Sequence, residues 1–320
     1  MSRADLAKFG SQVVNSVANP FFGIITDPRA ALSQPTVQLG QLLKQNPQFS
    51  FVTMFLPPYQ GPREDTFQAA WDGLEVRVST RSSKGISLYV AYTLSKNITN
   101  ADSFEAGFLG PTVGYQDHVD FQGERSLSAE DVTHRLVVGH VYDLPLGRGK
   151  RFGDSWPSAV DKVLGHWQFS GMTTFQGGFP LPISEVGHTL GTFANGLIPG
   201  TDRPNLVGTA CLDSGRPRGQ RISNYLNAAA FQTPPNFTFG NAPRTLSCRK
   251  DGMKNFDLAA VKFIPIKEQF NVEFRAEFLN AFNRSMLAAP NTTFNSAGFG
   301  LITQQYNIPR IIQFGLKVNF

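Results

Sequence analysis

The chain is poor in cysteine, poor in charge and without a long apolar run, and each shortage removes a class of protein. Cys211 and Cys248 are the only cysteines in 320 residues. They form no CxxC pair and stand beside no histidine cluster, which argues against a zinc site. They fit one disulfide or two free thiols. Charged residues make up 17% of the chain and hydrophobic residues 41%, a balance foreign to a disordered polyelectrolyte. The net charge of +5 is spread along the sequence, and no basic tract supports a nucleic-acid partner. No apolar run reaches the roughly 18 residues of a membrane-spanning helix. The opening "MSRADLAKFGSQVVNSVANP" lacks a continuous apolar core and does not read as a secretory signal. Taken alone, these shortages describe a soluble cytoplasmic protein.

Catalytic patterns are missing too. His118, His134, His140, His166 and His188 include no H-x-x-x-H or H-E-x-x-H spacing, and no G-x-S-x-G motif accompanies them. "LGRGKRFG" (146–153) departs from the phosphate-binding G-x-x-x-x-G-K-[ST] pattern and opens no helix. Glu273 and Glu277 lie on one strand face with Arg275 between them. Two carboxylates so placed can act as an acid and a base. A hydrated wall with an internal ion pair is the better reading. No enzyme activity, cofactor or metal is expected.

What the chain does have is phenylalanine, 28 of them, with 30 glycines and 21 prolines. Aromatics among many turn formers favour β structure. Period-two alternation then marks the strands. In "FNVEFRAEF" (270–278), Phe270, Val272, Phe274, Ala276 and Phe278 oppose Asn271, Glu273, Arg275 and Glu277. "GLEVRVST" (73–80), "GISLYVAYTLSK" (85–96), "HRLVVGHVYDL" (134–144) and "HWQFSGMTTFQ" (166–176) alternate likewise, as does the terminal "PRIIQFGLKVNF". "NFDLAAVKF" (255–263) and "QFSFVTMF" (48–55) are further candidates. Several candidates run to about 9–12 residues, beyond the usual soluble strand and close to the length that crosses a bilayer with tilt.

The connections alternate as well. "RSSK" after residue 80 and "IPIKEQ" (264–269) are short, and the 144–164 link is intermediate. The links 97–133, 177–254 and 282–309 are long. Short turns on one side and long outer loops on the other are the habit of outer-membrane barrels. Tyr92, Tyr142, Trp167, Phe175, Phe278, Phe282 and Phe320 fall near strand ends, where an interfacial girdle would lie.

The stretch "FNVEFRAEFLNAFNRSMLAAPNTTFNSAGFGLITQQYNIPRIIQFGLKVNF" resembles the C-terminal end of TonB-dependent receptor-like proteins of the Oar type. "DVTHRLVVGHVYDLPLGRGKRFG" and "VLGHWQFSGMTTFQGGFPLPIS" resemble consecutive barrel segments of that family, as do "NPFFGIITDP" and "TVQLGQLLKQNPQF". The resemblance implies an all-β, antiparallel transmembrane barrel portion of roughly eight long meander strands with long extracellular loops. Residues 1–47 would be an irregular, loop-rich segment, and 48–320 the barrel strands.

Several consequences follow from that resemblance. Such receptors resemble barrels of about 22 strands preceded by a signal peptide and a plug, none of which is recognisable here. The chain is therefore expected to be a C-terminal fragment that sits in the outer membrane. Phe314, Leu316, Val318 and Phe320 would be read by the barrel-assembly machinery. Glu273, Arg275, Glu277, Gln313 and Lys317 would face the lumen. Cys211 and Cys248 would form a disulfide in the longest outer loop, where surroundings are oxidising. Partners would be outer-membrane lipid, a small-molecule, oligosaccharide or peptide ligand, and the TonB complex through a plug. The alternative is an adhesin or structural surface barrel without energised transport. The fragment would form an open curved sheet or a strained closure of 310–320 against 48–56.

Overall fold

The computed structural model describes residues 3–30, 32–44, 47, 68–82, 85–100, 116–117, 122–187, 202–267 and 270–319. Seven long strands dominate them: β1 (Ala69–Arg81), β2 (Ile86–Thr99), β3 (His134–Asp143), β4 (Trp167–Gln176), β5 (Met253–Lys267), β6 (Phe270–Leu279) and β7 (Ile311–Asn319). Each pairs antiparallel with its neighbour in sequence, giving one uninterrupted meander. The segment 48–55 and the terminal Phe320 lie outside the described residues. Among the described residues no ladder joins β1 to β7, so the sheet has two edges.

Register converts the sequence alternation into two faces, because side chains in one cross-strand row point the same way. One row runs Arg81, Ser87, Val141, Ser170, Ala259, Glu277, Gln313 across all seven strands. Its counterpart on the other face runs Ile86, Tyr142, Phe169, Ala260, Ala276, Phe314. A histidine on this apolar face, His140, has room because Gly171 stands opposite it. A Cβ at Gly171 would come within 2.8 Å of the imidazole.

Among the described residues the apolar face carries no second layer of packed core. Leu74, Val76, Val78, Phe169, Phe314 and Leu316 are all exposed, Leu316 at 70%. The two buried apolar clusters among the described residues are built from residues outside the seven strands.

Alternate links of a meander lie at the same end. At the turn end, β1 and β2 join through 82–85, with Gly85 in the left-handed region. β5 and β6 join through 268–269 alone. The stretch "IPIKEQ", expected to be the link, mostly continues β5, and a register shift between Pro265 and Lys267 absorbs the proline. Proline lacks the N–H a regular ladder needs and is accommodated at such irregularities. The third turn-end link, 144–166, contains a helix, Ser158–Leu164. It is closed by Asp161, whose Oδ1 accepts a 2.7 Å bond from the Arg148 N–H.

Residues 3–44 form a small helical and hairpin unit. A helix (Arg3–Phe9) and a 3-10 turn (Gly10–Val14) precede a short hairpin, Ser16–Ala18 with Thr36–Gln38. Leu6 and Val13 are buried there against Phe9, Leu43, Phe237 and Phe239. "NPFFGIITDP" and the described part of "TVQLGQLLKQNPQF" thus make turns, a three-residue strand and one helical turn rather than long barrel strands. Pro, Gly and Asn interrupt their apolar runs too often to sustain a ladder.

Candidate functional site

The described parts of the three long links, within 100–133, 177–252 and 280–310, meet at the loop end and fold into a cap. Short ladders knit it: Pro180–Pro182 with Thr245–Arg249, Asn205–Leu206 with Phe231–Gln232, and Thr293–Phe294 parallel to Ser184–Glu185. Its core contains Leu181, Ile183, Leu226, Phe231 and Leu246, with Phe294 and Phe299 packed beside them. Phe299 meets Phe231 and Phe294 edge-on, both at 5.5 Å between centroids. Cys211 and Cys248 are bonded, their Cα atoms 5.2 Å apart, and Cys248 belongs to the core.

Buried polar groups fasten the cap to the sheet. Asp131 accepts the N–H of Asn97 at the end of β2 and pairs with Arg249. Arg244 donates to the Thr99 carbonyl at 2.9 Å. Glu124 accepts from the backbone of Gln116 and Asp117 and pairs with Arg203 at 2.7 Å. Gln116 in turn donates to Gly240 and accepts from the Arg203 backbone. Charges taken out of water need such partners to be tolerated.

Between the cap and the start of β5 lies a cavity of about 910 Å³, at the upper end of the usual range for ligand sites. Its wall comes from 211–225, 247–254 and 282–286. Arginines and lysines dominate it, and Asp251 is its one acid. Asp251 pairs with Arg221, whose Nε is buried without a hydrogen-bond partner. Lys250 lies over the rings of Phe179 and Tyr306, 4.8 and 5.0 Å from their centroids. Burial holds its pKa below the ordinary lysine value. Burial also raises the hydroxyls of Tyr225 and Tyr306.

The strand residues singled out in the sequence divide between the faces. Glu273, Arg275, Glu277, Gln313 and Lys317 share the polar one. Arg275 lies 3.2 Å from Glu273 and 3.1 Å from Glu277, Gln313 donates to Glu277 at 2.9 Å, and Lys317 stands opposite Glu273 in the ladder. Phe314, Leu316 and Val318 share the apolar face, with Phe314 stacked on Phe274. Among the histidines, His134 bonds to the Tyr92 hydroxyl and His166 lies 3.4 Å from Asp161, while His118 and His188 are outside the described residues. No group of three metal-ligating side chains occurs among the described residues.

The basic cavity escaped the sequence reading. Its signal was two short stretches, "SGRPRGQR" (214–221) and "CRKDGMK" (248–254), each modest alone and joined only in the fold.

A wide antiparallel meander with one apolar and one polar face, and its long links gathered at one end, is the architecture of an outer-membrane β-barrel protein. The family of outer membrane beta barrel domains matches residues 14–313, and the chain belongs to it. No curated protein and no solved structure matches the chain. A non-enzymatic transport or structural role agrees with this family.

Proposed function

We propose that the chain works in the outer membrane as part of a receptor barrel of the TonB-dependent, Oar-like kind. The apolar face meets lipid, and the polar face, with Glu273, Arg275, Glu277, Gln313 and Lys317, lines the lumen. The cap stands outside the cell and meets the ligand first. The β7 residues Phe314, Leu316 and Val318, with Phe320, present the edge that the assembly machinery takes up by strand addition. Energy for uptake comes from TonB.

One observation carries the reading: a ladder sorted into apolar and polar rows has the described parts of its three long links at one end, folded into a disulfide-linked cap. A cytosolic sandwich has no reason to build a cap at one end and leave an apolar face uncovered.

Single cysteines at Ser214 in the cap and at Lys150 in the turn-end link, in cells expressing the native gene, test the topology. A membrane-impermeant maleimide should label the first and spare the second. The reverse pattern would end the receptor reading. Co-purification of the native gene product with the periplasmic domain of TonB tests energised transport. Absence of that association, with the cap still outside, would favour the adhesin or structural barrel.

A further inference from the structure

We propose that the cavity between the cap and β5 binds a phosphorylated saccharide, and that its phosphates are held by cationic side chains at the outer rim of the apolar face. This rests on the receptor topology above and adds the class of ligand.

The first observation is uncompensated charge. Among the described residues seven cationic side chains line the cavity, and two of them have carboxylate partners, Arg221 with Asp251 and Arg249 with Asp131. Four of the others are held by neutral groups. Arg216 donates to the carbonyls of Asp213, Asn224 and Tyr225, and Arg218 to Ser285. Lys250 rests on two aromatic rings, and Arg284 lies over Phe256 at 5.7 Å. Lys254 is exposed and has no ion pair among the described residues. Several like charges around one concavity repel each other in the empty state and attract a multivalent anion. Guanidinium groups already oriented by carbonyls are preorganised for phosphate oxygens.

The second observation is the size and lining of the site. A volume of about 910 Å³ far exceeds one phosphate. Ser214, Ser247, Asn283 and Ser285 add neutral hydrogen-bonding groups to the lining, which suits the hydroxyls of a sugar better than a bare polyphosphate.

The third observation is position. Lys254 is in register with Phe175 on the apolar face. Phe175 meets Phe256 edge-on at 5.5 Å, and Phe256 meets Phe282 at 5.0 Å, so an aromatic row closes the loop end of that face. Trp167 and Phe169 stack near the other end of β4. Eight residue steps from Trp167 to Phe175 span roughly 26 Å along the strand, or about 20 Å along the membrane normal at the usual barrel tilt, most of the ~25 Å apolar band between aromatic girdles. Lys254 stands in this aromatic row and Arg284 over one of its rings, so on the receptor topology above the cavity opens at the height of the outer-leaflet headgroups. One phosphosugar chemistry can therefore arrive on a lipid or free in solution.

The test uses the full chain folded in detergent and in phosphatidylcholine nanodiscs. Glucose 1,6-bisphosphate is titrated as the soluble probe, and nanodiscs carrying lipid A or fully dephosphorylated lipid A as the membrane-borne one. Binding to at least one phosphorylated probe, weakening with added salt, is expected. The probe that binds identifies the source. Lys254→Gln with Arg284→Gln should weaken that binding at least tenfold. Arg148→Gln with Lys150→Gln, which removes the same charge at the turn end, should leave it within twofold. The idea fails if neither phosphorylated probe binds, or if glucose or dephosphorylated lipid A binds as well. Equal weakening by both variant pairs would also overturn it. Labelling of Ser214→Cys and Lys150→Cys reports the topology separately, so failure of the site and failure of the receptor reading are distinguishable.

Discussion

The guanidinium of Arg203 lies 2.7 Å from the carboxylate of Glu124, and both side chains are withdrawn from solvent. They are 79 residues apart, in two different long links. Glu124 also accepts two backbone N–H groups, so it organises a turn and neutralises the arginine at once. Glu124→Ala should destabilise the cap by about 3–5 kcal/mol, because it removes from a buried site the carboxylate that both pairs with Arg203 and accepts two backbone N–H groups. Glu124→Met with Arg203→Met should cost clearly less. Proteolysis of the cap in the folded, detergent-solubilised protein measures both. Equal losses would mean that the pair is unimportant and only packing matters.

The Cys211–Cys248 bond closes a loop of sequence separation 37 within the cap. Replacing both residues by serine should lower cap stability by about 2–4 kcal/mol while the long strands keep their ladders. Hydrogen exchange should quicken in 205–249 and stay slow in β5 and β6. Uniform loosening of cap and strands would contradict a local role.

The two faces of β7 should respond oppositely to charge. Leu316→Arg places a guanidinium on the exposed apolar face and should cost about 2–4 kcal/mol if that position sits near the bilayer midplane. Gln313→Lys, on the polar face beside Glu277, should cost little. Refolding yield into lipid vesicles compares them, and equal tolerance would place both faces in water.

The turn-end link should loosen in acid. The Arg148 N–H bonded to Asp161 holds that carboxyl below its ordinary pKa, with His166 adding to the effect. A depressed folded-state pKa contributes stability that is complete above the unfolded carboxylate value, about 3.9. That stability is lost as pH falls through the folded value. Asp161→Asn should therefore open 144–166 to exchange at neutral pH, by about 1.5 kcal/mol for a charge-assisted bond. The difference from the unmodified protein should vanish at the lowest pH. A constant difference across pH would sink this account.

The strands were legible because their information is local. "FNVEFRAEF" and "IIQFGLKVN" each sort their side chains by parity alone, and the ladder Glu273–Lys317, Phe274–Leu316, Arg275–Gly315 joins them face to face. β5 was harder to bound. Pro265 reads as a breaker, yet a register shift lets the strand pass it. The short hairpin and helical turns inside the N-terminal segment were not legible, because its brief apolar runs fit a helical turn as well as a strand.

Parity, strand length and the alternation of short and long links determined the two-faced meander from sequence alone, since each can be counted along the chain without knowing which distant residues meet. The tertiary structure decided the cap. Glu124 finds Arg203, Asp131 finds Arg249, and "SGRPRGQR" meets "CRKDGMK" around one cavity. Those encounters join residues tens of positions apart on irregular links, where no periodicity dictates direction. They are selected by burial, because charges and carbonyls removed from water must find one another to be tolerated.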